Sequence, residues 1–296
     1  MERSLVTVEG WTLHEYADVS STSDLAATLP PWHAVRADHQ QRGRGRWRRP
    51  WVSDVGGLWI TAVLPTGPDL KPWRVFPLAV GLAVVDFVRS VGVANVRLRW
   101  PNDLMVGNRK LAGLLLEEPR PGLVLAGIGI NITNQPETAD AALHGITTRL
   151  TDHVQQARIA HHQLQLDAPR SRRGMATDNS AIRNPQSAIS GFRLLTSTAT
   201  KVGDQCQPLP DLTTLACSLL LHLRKTRDAI ADTGFAPLLP RLQELWQLPR
   251  SVELDFGKEK IQGEFCGVDE QGRLGLRHGA TCQWFEAAHV VQLREI

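Results

Sequence analysis

The chain has 296 residues, 42% hydrophobic and 21% charged, proportions that suit a soluble globular protein with one large core or a large and a small domain. Its 33 basic and 30 acidic side chains leave a formal charge of only +3, which excludes a chain-wide bias toward nucleic acid or membrane; any attraction for anions has to be local. Cys206, Cys217, Cys266 and Cys282 form neither a CxxC pair nor a zinc-ligand spacing and read as free thiols of a reducing compartment. The polar N-terminus lacks the apolar core of a signal peptide. No run reaches the roughly 18 apolar residues of a membrane span, and the chain is expected in the cytoplasm with no membrane partner.

Residues 1–150 read as α/β. The first segment with chemistry is Gln40-Gln-Arg-Gly-Arg-Gly-Arg-Trp-Arg-Arg-Pro-Trp51, and from Arg36 to Arg49 six arginines face one acid, Asp38. Interleaved glycines let the backbone approach a ligand. Guanidinium forks suit carboxylate or phosphate, and Trp47 and Trp51 offer faces for a flat heterocycle. The combination fits an anionic ligand bearing an aromatic ring. The alternative is an Arg/Gly tract that binds nucleic acid nonspecifically.

Residues 58–64 are an apolar run stopped by Pro65, and residues 78–91 carry apolar side chains at helical spacing behind Pro77. Residues 96–100 alternate as a half-buried strand. Asn102 and Asp103 then sit in a strand-end turn behind Pro101, where functional loops tend to lie. Residues 110–117 and 123–132 are two further strands. Lys110 opens the first, followed by Gly113; Gly127 and Gly129 lie inside the second, which ends near Asn131. Glycines inside a buried strand need a reason, and either a ligand lying on the backbone or tight strand packing supplies one.

From about 153 to 207 Gln, Arg, Ser, Thr and Asn dominate, with a partial seven-residue repeat at Ser180 and Ser187. This stretch reads as a disordered or loosely held insertion, with an added lobe or partner-binding arm as the alternative. Asp211 is a good N-cap for a helix bearing Leu212, Leu215, Ala216, Leu219, Leu220 and Leu223. A short helix is expected at 236–247. Strands at 252–256, 261–268, 273–277, 282–286 and 290–293 then suggest a small β-barrel of SH3-like size.

The series GRGRxxRxW, WPND, RKLAG and GIGIN, in this order and spacing, resembles the catalytic domain of biotin–protein ligases. Ser20-Ser21-Thr22-Ser23 looks like that family's DSTN element, and the terminal barrel is similar to its small C-terminal domain. The resemblance covers about residues 11–150 and 208–296. It implies a mixed-sheet α/β (α+β) catalytic domain over 1–248, similar to class II aminoacyl-tRNA synthetase and biotin–lipoate ligase domains, and an SH3-like barrel over 249–296. The implied activity is ATP-dependent: biotin becomes biotinyl-5′-AMP with release of pyrophosphate and is then transferred to a lysine of a biotin carboxyl carrier protein, as in acetyl-CoA carboxylase. A lipoate or octanoate ligase is the enzymatic alternative.

The implied roles follow the matching motifs. Ser21, Thr22, Gln40, Gly43, Arg44, Arg46, Lys110 and Gly113 would hold biotin. Arg44, Arg49, Trp51, Asn102, Lys110 and Asn131 would hold ATP or the adenylate, with Mg²⁺ on the phosphates and any protein metal ligands unassigned. Lys110 and Arg46 would neutralise charge as two anions meet, and Asp103 would orient the acceptor amine and take its proton. The chain departs from the family pattern at Ser20, Ser23, Arg48 and Arg99, which puts affinity for biotin in doubt rather than the chemistry. About ten residues precede the first catalytic element, too few for a helix-turn-helix, so a ligase without repressor function and without a DNA partner is expected. The family includes monomers and dimers, which leaves a homodimer open.

Overall fold

The computed structural model describes residues 2–66, 74–154, 209–246, 250–279 and 281–296. The polar stretch expected at 153–207 lies, from residue 155 onward, outside them. A large mixed sheet is built from β1 (Glu2–Val8), β2 (Trp11–Val19), β3 (His33–Gln40), β4 (Gly57–Pro65), β5 (Val96–Arg99), β6 (Asp103–Val106), β7 (Arg109–Arg120) and β8 (Leu123–Asn131). Its order is β1-β2-β3-β4-β8-β7-β6-β5, and only β2 and β3 run parallel. They are joined by a crossover that holds the short helix α1 (Thr22–Ala26).

The two faces of this sheet differ. On β4, Leu58, Ile60, Ala62 and Leu64 enter the main core, beneath α2 (Phe76–Ser90) and α4 (Leu212–Thr233). The alternate residue Val63 joins a small cluster with Ala26, Val35 and Leu125 under α1. Strand periodicity divides β7 and β8 in the same way. Ala112, Leu114, Ala126, Ile128 and Ile130 enter the core, so Gly113, Gly127, Gly129 and Asn131 turn to the other face. A short helix α3 (Pro136–Ala139) follows β8.

A bulge breaks the alternation where it matters. Leu104 pairs with Ala112, but Met105 pairs with Lys110, so Leu111 is the extra residue. Leu111 is fully buried in the core, and the phase shift turns Lys110 to the face that carries Gly113. Without the extra residue, strict alternation would point Lys110 into the core.

The expected helices are present. Pro77 lies in the first turn of α2. The Asp211 carboxylate caps α4 by accepting from the Thr214 N–H at 2.9 Å, and Gly234 closes it at φ 74°. After α5 (Leu239–Trp246), the strands β9 (Arg250–Asp255), β10 (Lys260–Val268), β11 (Leu274–His278), β12 (Thr281–Phe285) and β13 (Gln292–Glu295) form an antiparallel sheet ordered β12-β11-β10-β9-β13, the SH3-like unit. It docks on the large sheet through the Trp100 indole N–H to the Gly272 carbonyl at 3.1 Å and through Glu295 between Arg97 and Arg250.

The reading of four free thiols fails for two of them. Cys266 on β10 and Cys282 on β12 are joined across the intervening strand. The strand between them passes under the sulfurs at Gly275, where a Cβ would lie 2.8 and 2.9 Å from them. A 16-residue spacing carried no such signal. Cys217 is free, and Cys206 lies outside the described residues. No helix among the described residues is long and apolar enough to cross a membrane.

One buried ion pair ties β1, β2, β3 and α4 together. Arg36 Nε donates to Glu15 Oε1 at 2.8 Å with both side chains 9% exposed, and Ser4 and Thr213 add hydroxyl donors to the same carboxylate at 2.6 and 2.7 Å. Burial pushes the Glu15 carboxyl up, but these donors outweigh it and hold its pKa below the usual value. A depressed carboxylate contributes stability above its unfolded pKa and loses it as pH falls through the folded one. Arg36→Met strands the carboxylate and is expected to cost about 3–5 kcal/mol near neutral pH, measured as a lower urea midpoint. The gap to the parent should narrow on acidification through the carboxylate range.

Candidate active site

A cavity of about 450 Å³ opens on the face of the large sheet away from α2 and α4, a size that suits a small-molecule ligand. One end is lined with hydroxyls and an amide. Ser21, Thr22 and Ser23 are buried at the start of α1. Gln40 Oε1 accepts from the Thr22 N–H at 2.8 Å and from its hydroxyl at 3.0 Å. Thr22 Oγ1 also meets Thr61 Oγ1 at 2.8 Å, and Gln40 Nε2 donates to Ser53 Oγ at 3.0 Å. Sequence reasoning missed Thr61 and Ser53. Thr61 did leave a trace, as the one hydroxyl within an otherwise apolar strand; Ser53, in a loop, left none.

The other end is cationic. Lys110 Nζ lies 2.6 Å from Asp103 Oδ1, and Arg99 Nη2 lies 2.7 Å from Asp103 Oδ2. Burial raises the Asp103 pKa, but Lys110 and Arg99 outweigh it and hold the carboxyl below its usual range. A carboxylate so stabilised is a poor proton acceptor, so its fitness is electrostatic, and proton uptake from an amine is not favoured. The Asn102 side chain donates to the Leu114 carbonyl at 2.8 Å, next to the cis Trp100–Pro101 bond.

Between the two ends lies Trp51. Its indole rests on Gly113 and Gly129, which face each other across β7 and β8. A Cβ at Gly129 would lie 2.6 Å from Trp51 Nε1, and one at Gly113 2.8 Å from Trp51 Cζ3. Gly113 and Gly129 therefore make room for a loop side chain of the protein itself, a reason that neither a ligand nor a neighbouring strand supplies, whereas a Cβ at Gly127 would lie 3.1 Å from the Leu115 carbonyl of the neighbouring strand. Lys110 Nζ stands 4.9 Å from the Trp51 ring centroid, a cation–π distance. Trp51 Nε1 is buried without a hydrogen-bond partner among the described residues.

The Arg/Gly loop from 41 to 50 forms the rim. Arg44 spans it: its guanidinium donates to Ser21 Oγ at 3.0 Å and to Asp24 Oδ1 at 2.8 Å, and it pairs with Glu117 at 3.2 Å. Arg46 lines the cavity, yet its Nη2 donates to the Ala287 and Val290 carbonyls of the barrel, the latter at 2.9 Å. Burial lowers the Arg46 pKa, Asp103 opposes this, and the like charge of Arg49 adds to it. Arg49 also lines the cavity, and its guanidinium has no hydrogen-bond or ion-pair partner among the described residues.

Two expected site residues are engaged by the chain's own groups, and one of them lies off the cavity wall. Gly43 is absent from the cavity wall; its carbonyl accepts from the Trp51 N–H at 2.9 Å, and a Cβ there would strike Ser53 and the Trp51 backbone. It shapes the loop. Asn131 lines the wall but has both ends of its carboxamide engaged, donating to the Thr148 carbonyl at 3.1 Å and accepting from Asn134 Nδ2 at 3.0 Å. The remaining expected residues, from Ser21 to Gly113, are brought together.

Comparison with known proteins accords with this geometry. Residues 18–133 match the Biotin/lipoate A/B protein ligase family. The chain is 40% identical over 109 residues to the biotin--[acetyl-CoA-carboxylase] ligase of Mycobacterium tuberculosis, a match that spans 35% of this chain and 41% of that one. It is 33% identical over 164 residues to the bifunctional ligase/repressor BirA of Bacillus subtilis, spanning 50% of each; the chain thus covers about half the length of that relative. The fold superposes on the biotin protein ligase of Aquifex aeolicus, whose solved structure is a complex with biotin and ATP. The TM-score is 0.70, the identity 20%, and coverage is 96% of this chain and 99% of that one. The matched segment runs from the end of β2 through β8, the part of the fold that builds most of the cavity wall.

The glycine floor generates a direct test. Gly129→Ala adds a Cβ inside the Trp51 contact and should expel the indole. The expected result is a red-shifted tryptophan emission with a melting temperature within a few degrees of the parent. An unchanged emission would show that Trp51 is not seated by these glycines.

Proposed function

We propose that this chain is a biotin–protein ligase. Biotin's carboxylate attacks the α-phosphorus of ATP to give biotinyl-5′-AMP and pyrophosphate. The ε-amine of an acceptor lysine, on a biotin carboxyl carrier protein, then attacks the acyl carbon. An amide forms, AMP leaves, and the amine's proton passes to solvent.

The observation that carries this reading is the position of Lys110. The bulge at Leu111 brings its ammonium to the junction of the hydroxyl end, the Trp51 indole and the cationic end. A ligand with a polar amide ring and a carboxylate tail fits this order. Hydroxyls and the Gln40 amide suit a ureido ring, which donates and accepts hydrogen bonds, and suit the apolar dithiolane of lipoate poorly. Lys110 then meets the carboxylate where it approaches a phosphate. Two anions meet only if their repulsion is screened, and Lys110 and Arg49, which both line the cavity, supply positive charge for that. The relatives named above as ligases, and the Aquifex structure solved with biotin and ATP, support the same reading.

The residues present do not fit a resident Mg²⁺. Asp103 is the one carboxylate among the described residues of the cavity wall, and Lys110 and Arg99 occupy it. No group of three or more His, Cys, Asp or Glu among the described residues is placed to hold a metal. The chain's own contribution is electrostatic and steric. Trp51 shapes the midpoint, and the Arg/Gly loop shelters the anhydride from water. Asp103 holds Lys110 and Arg99 in register and offers its charge to the incoming amine.

The decisive assay is biotin-dependent exchange between ATP and pyrophosphate. The parent protein should catalyse it, and Lys110→Ala should lower the rate by about 10²–10³-fold without loss of fold. Asp103→Asn should lower both half-reactions, because it frees Lys110 and Arg99 from their shared anchor. Exchange that does not require biotin would overturn the proposal.

A further inference from the structure

The six arginines between Arg36 and Arg49 do not form one basic tract in space. Arg36 is buried against Glu15 and Asp38, Arg44 is held by Asp24 and Glu117, and Arg46 is spent on barrel carbonyls. Arg49 faces the cavity. Arg42 and Arg48 face the outer side of the loop instead. Both are exposed, with guanidinium groups that have no hydrogen-bond or ion-pair partner among the described residues. Trp47 stands on the rim between the two sides, 52% exposed.

Trp47 and Arg48 are consecutive residues at φ 59° and 56°, a left-handed conformation that glycine adopts freely and other residues rarely do. Side chains kept at such positions point to a use for them. The acids on the outer side are Asp24 and Glu117, both engaged by Arg44, and Asp54. The outer rim therefore presents two free cations and an indole against one free carboxylate.

The cavity beneath sets what this rim is for. Its inner end holds three cations, Lys110, Arg49 and Arg99, against the single carboxylate of Asp103, so an approaching lysine ammonium meets net positive charge unless further negative charge comes with it. We propose that Arg42, Trp47 and Arg48 form the docking surface for an acceptor protein whose modified lysine is flanked by carboxylates. Flanking acids would meet Arg42 and Arg48 on the rim and offset the repulsion, while Trp47 supplies an amphipathic contact at the mouth. Two outward cations are too few to hold a nucleic-acid backbone tightly, which disfavours the Arg/Gly tract as an RNA-binding module. The inference rests on the ligase reading and specifies the chemistry of its protein substrate.

The test uses the full chain and its Arg42→Glu/Arg48→Glu variant, with Arg42→Gln/Arg48→Gln as a milder pair. The acceptor is a biotin carboxyl carrier domain with glutamates beside its lysine, and a second version with lysines in place of those glutamates. Both enzyme variants should keep biotin-dependent pyrophosphate exchange within about twofold of the parent, which also reports an intact fold. Transfer to the acidic carrier should lose about tenfold or more in kcat/KM through KM, with a flatter salt dependence. The charge-reversed carrier should recover activity with the glutamate variant. Unchanged transfer constants alongside intact exchange would overturn the docking surface and leave the ligase reading standing. Absence of exchange in the parent would overturn both. Salt-sensitive binding of a single-stranded RNA that the glutamate variant loses, with transfer unchanged, would assign the rim to nucleic acid instead.

Discussion

The structure around the cavity depends on how one carboxylate is shared. Asp103 is the lone acid among the described residues of a wall that also holds Lys110, Arg99, Arg49 and Arg46. It anchors two of these cations at 2.6 and 2.7 Å. Arg46 finds neutral carbonyls and Arg49 finds no partner among the described residues. Cations crowded into a concave, half-buried space repel one another more strongly than they would in water. The arrangement is therefore out of charge balance by itself and comes into balance when an anion enters. Selectivity for a negatively charged ligand needs no further device, and what remains for the fold is to fix where the anion's reacting atoms lie.

That task falls to backbone irregularities rather than to regular strands. The bulge at Leu111 changes the facing of Lys110, and the paired glycines of β7 and β8 let Trp51 lie against the sheet. Both act within a few residues, so the cation and the indole are set by the same two strands. The loop that roofs them is tied at both sides, by Arg44 to α1 and β7 and by Arg46 to the barrel. The barrel is thus coupled to the loop through the backbone carbonyls of 287 and 290. Opening the rim near Arg46 breaks hydrogen bonds to neutral carbonyls, whereas opening it near Arg44 separates a cation from two carboxylates.

Much of this was legible beforehand, and the failures have physical causes. Apolar period and caps located β4, α2, β5, β7, β8, α4 and the barrel strands within a few residues. The first three strands did not announce themselves: β3 carries a buried arginine in its middle, and β1 is exposed along most of its length. A pattern reader scores both as polar. β6 is only four residues long. Motif order brought most of the expected side chains to one cavity, from Ser21 through Gly113. It said nothing of what those side chains would bond to within the chain, such as the barrel carbonyls that Arg46 reaches and the Thr148 carbonyl that Asn131 reaches. Pairing across β11 likewise hid the Cys266–Cys282 link from any spacing rule.

The Arg/Gly segment shows why composition misleads at such places. Six arginines in a short run suggest one electrostatic function, but a folded chain can give each guanidinium a different partner. Here one holds the sheet, one roofs the hydroxyl pocket, one reaches the barrel, one faces the cavity and two face outward. The glycines serve the loop's turns and contacts, and the two left-handed non-glycine positions decide which side chains reach solvent. Charge density along a sequence is therefore weak evidence for a polyanion partner. The number of cations left without an internal partner is the quantity that decides how strongly such a partner is held, and on this outer rim it is two.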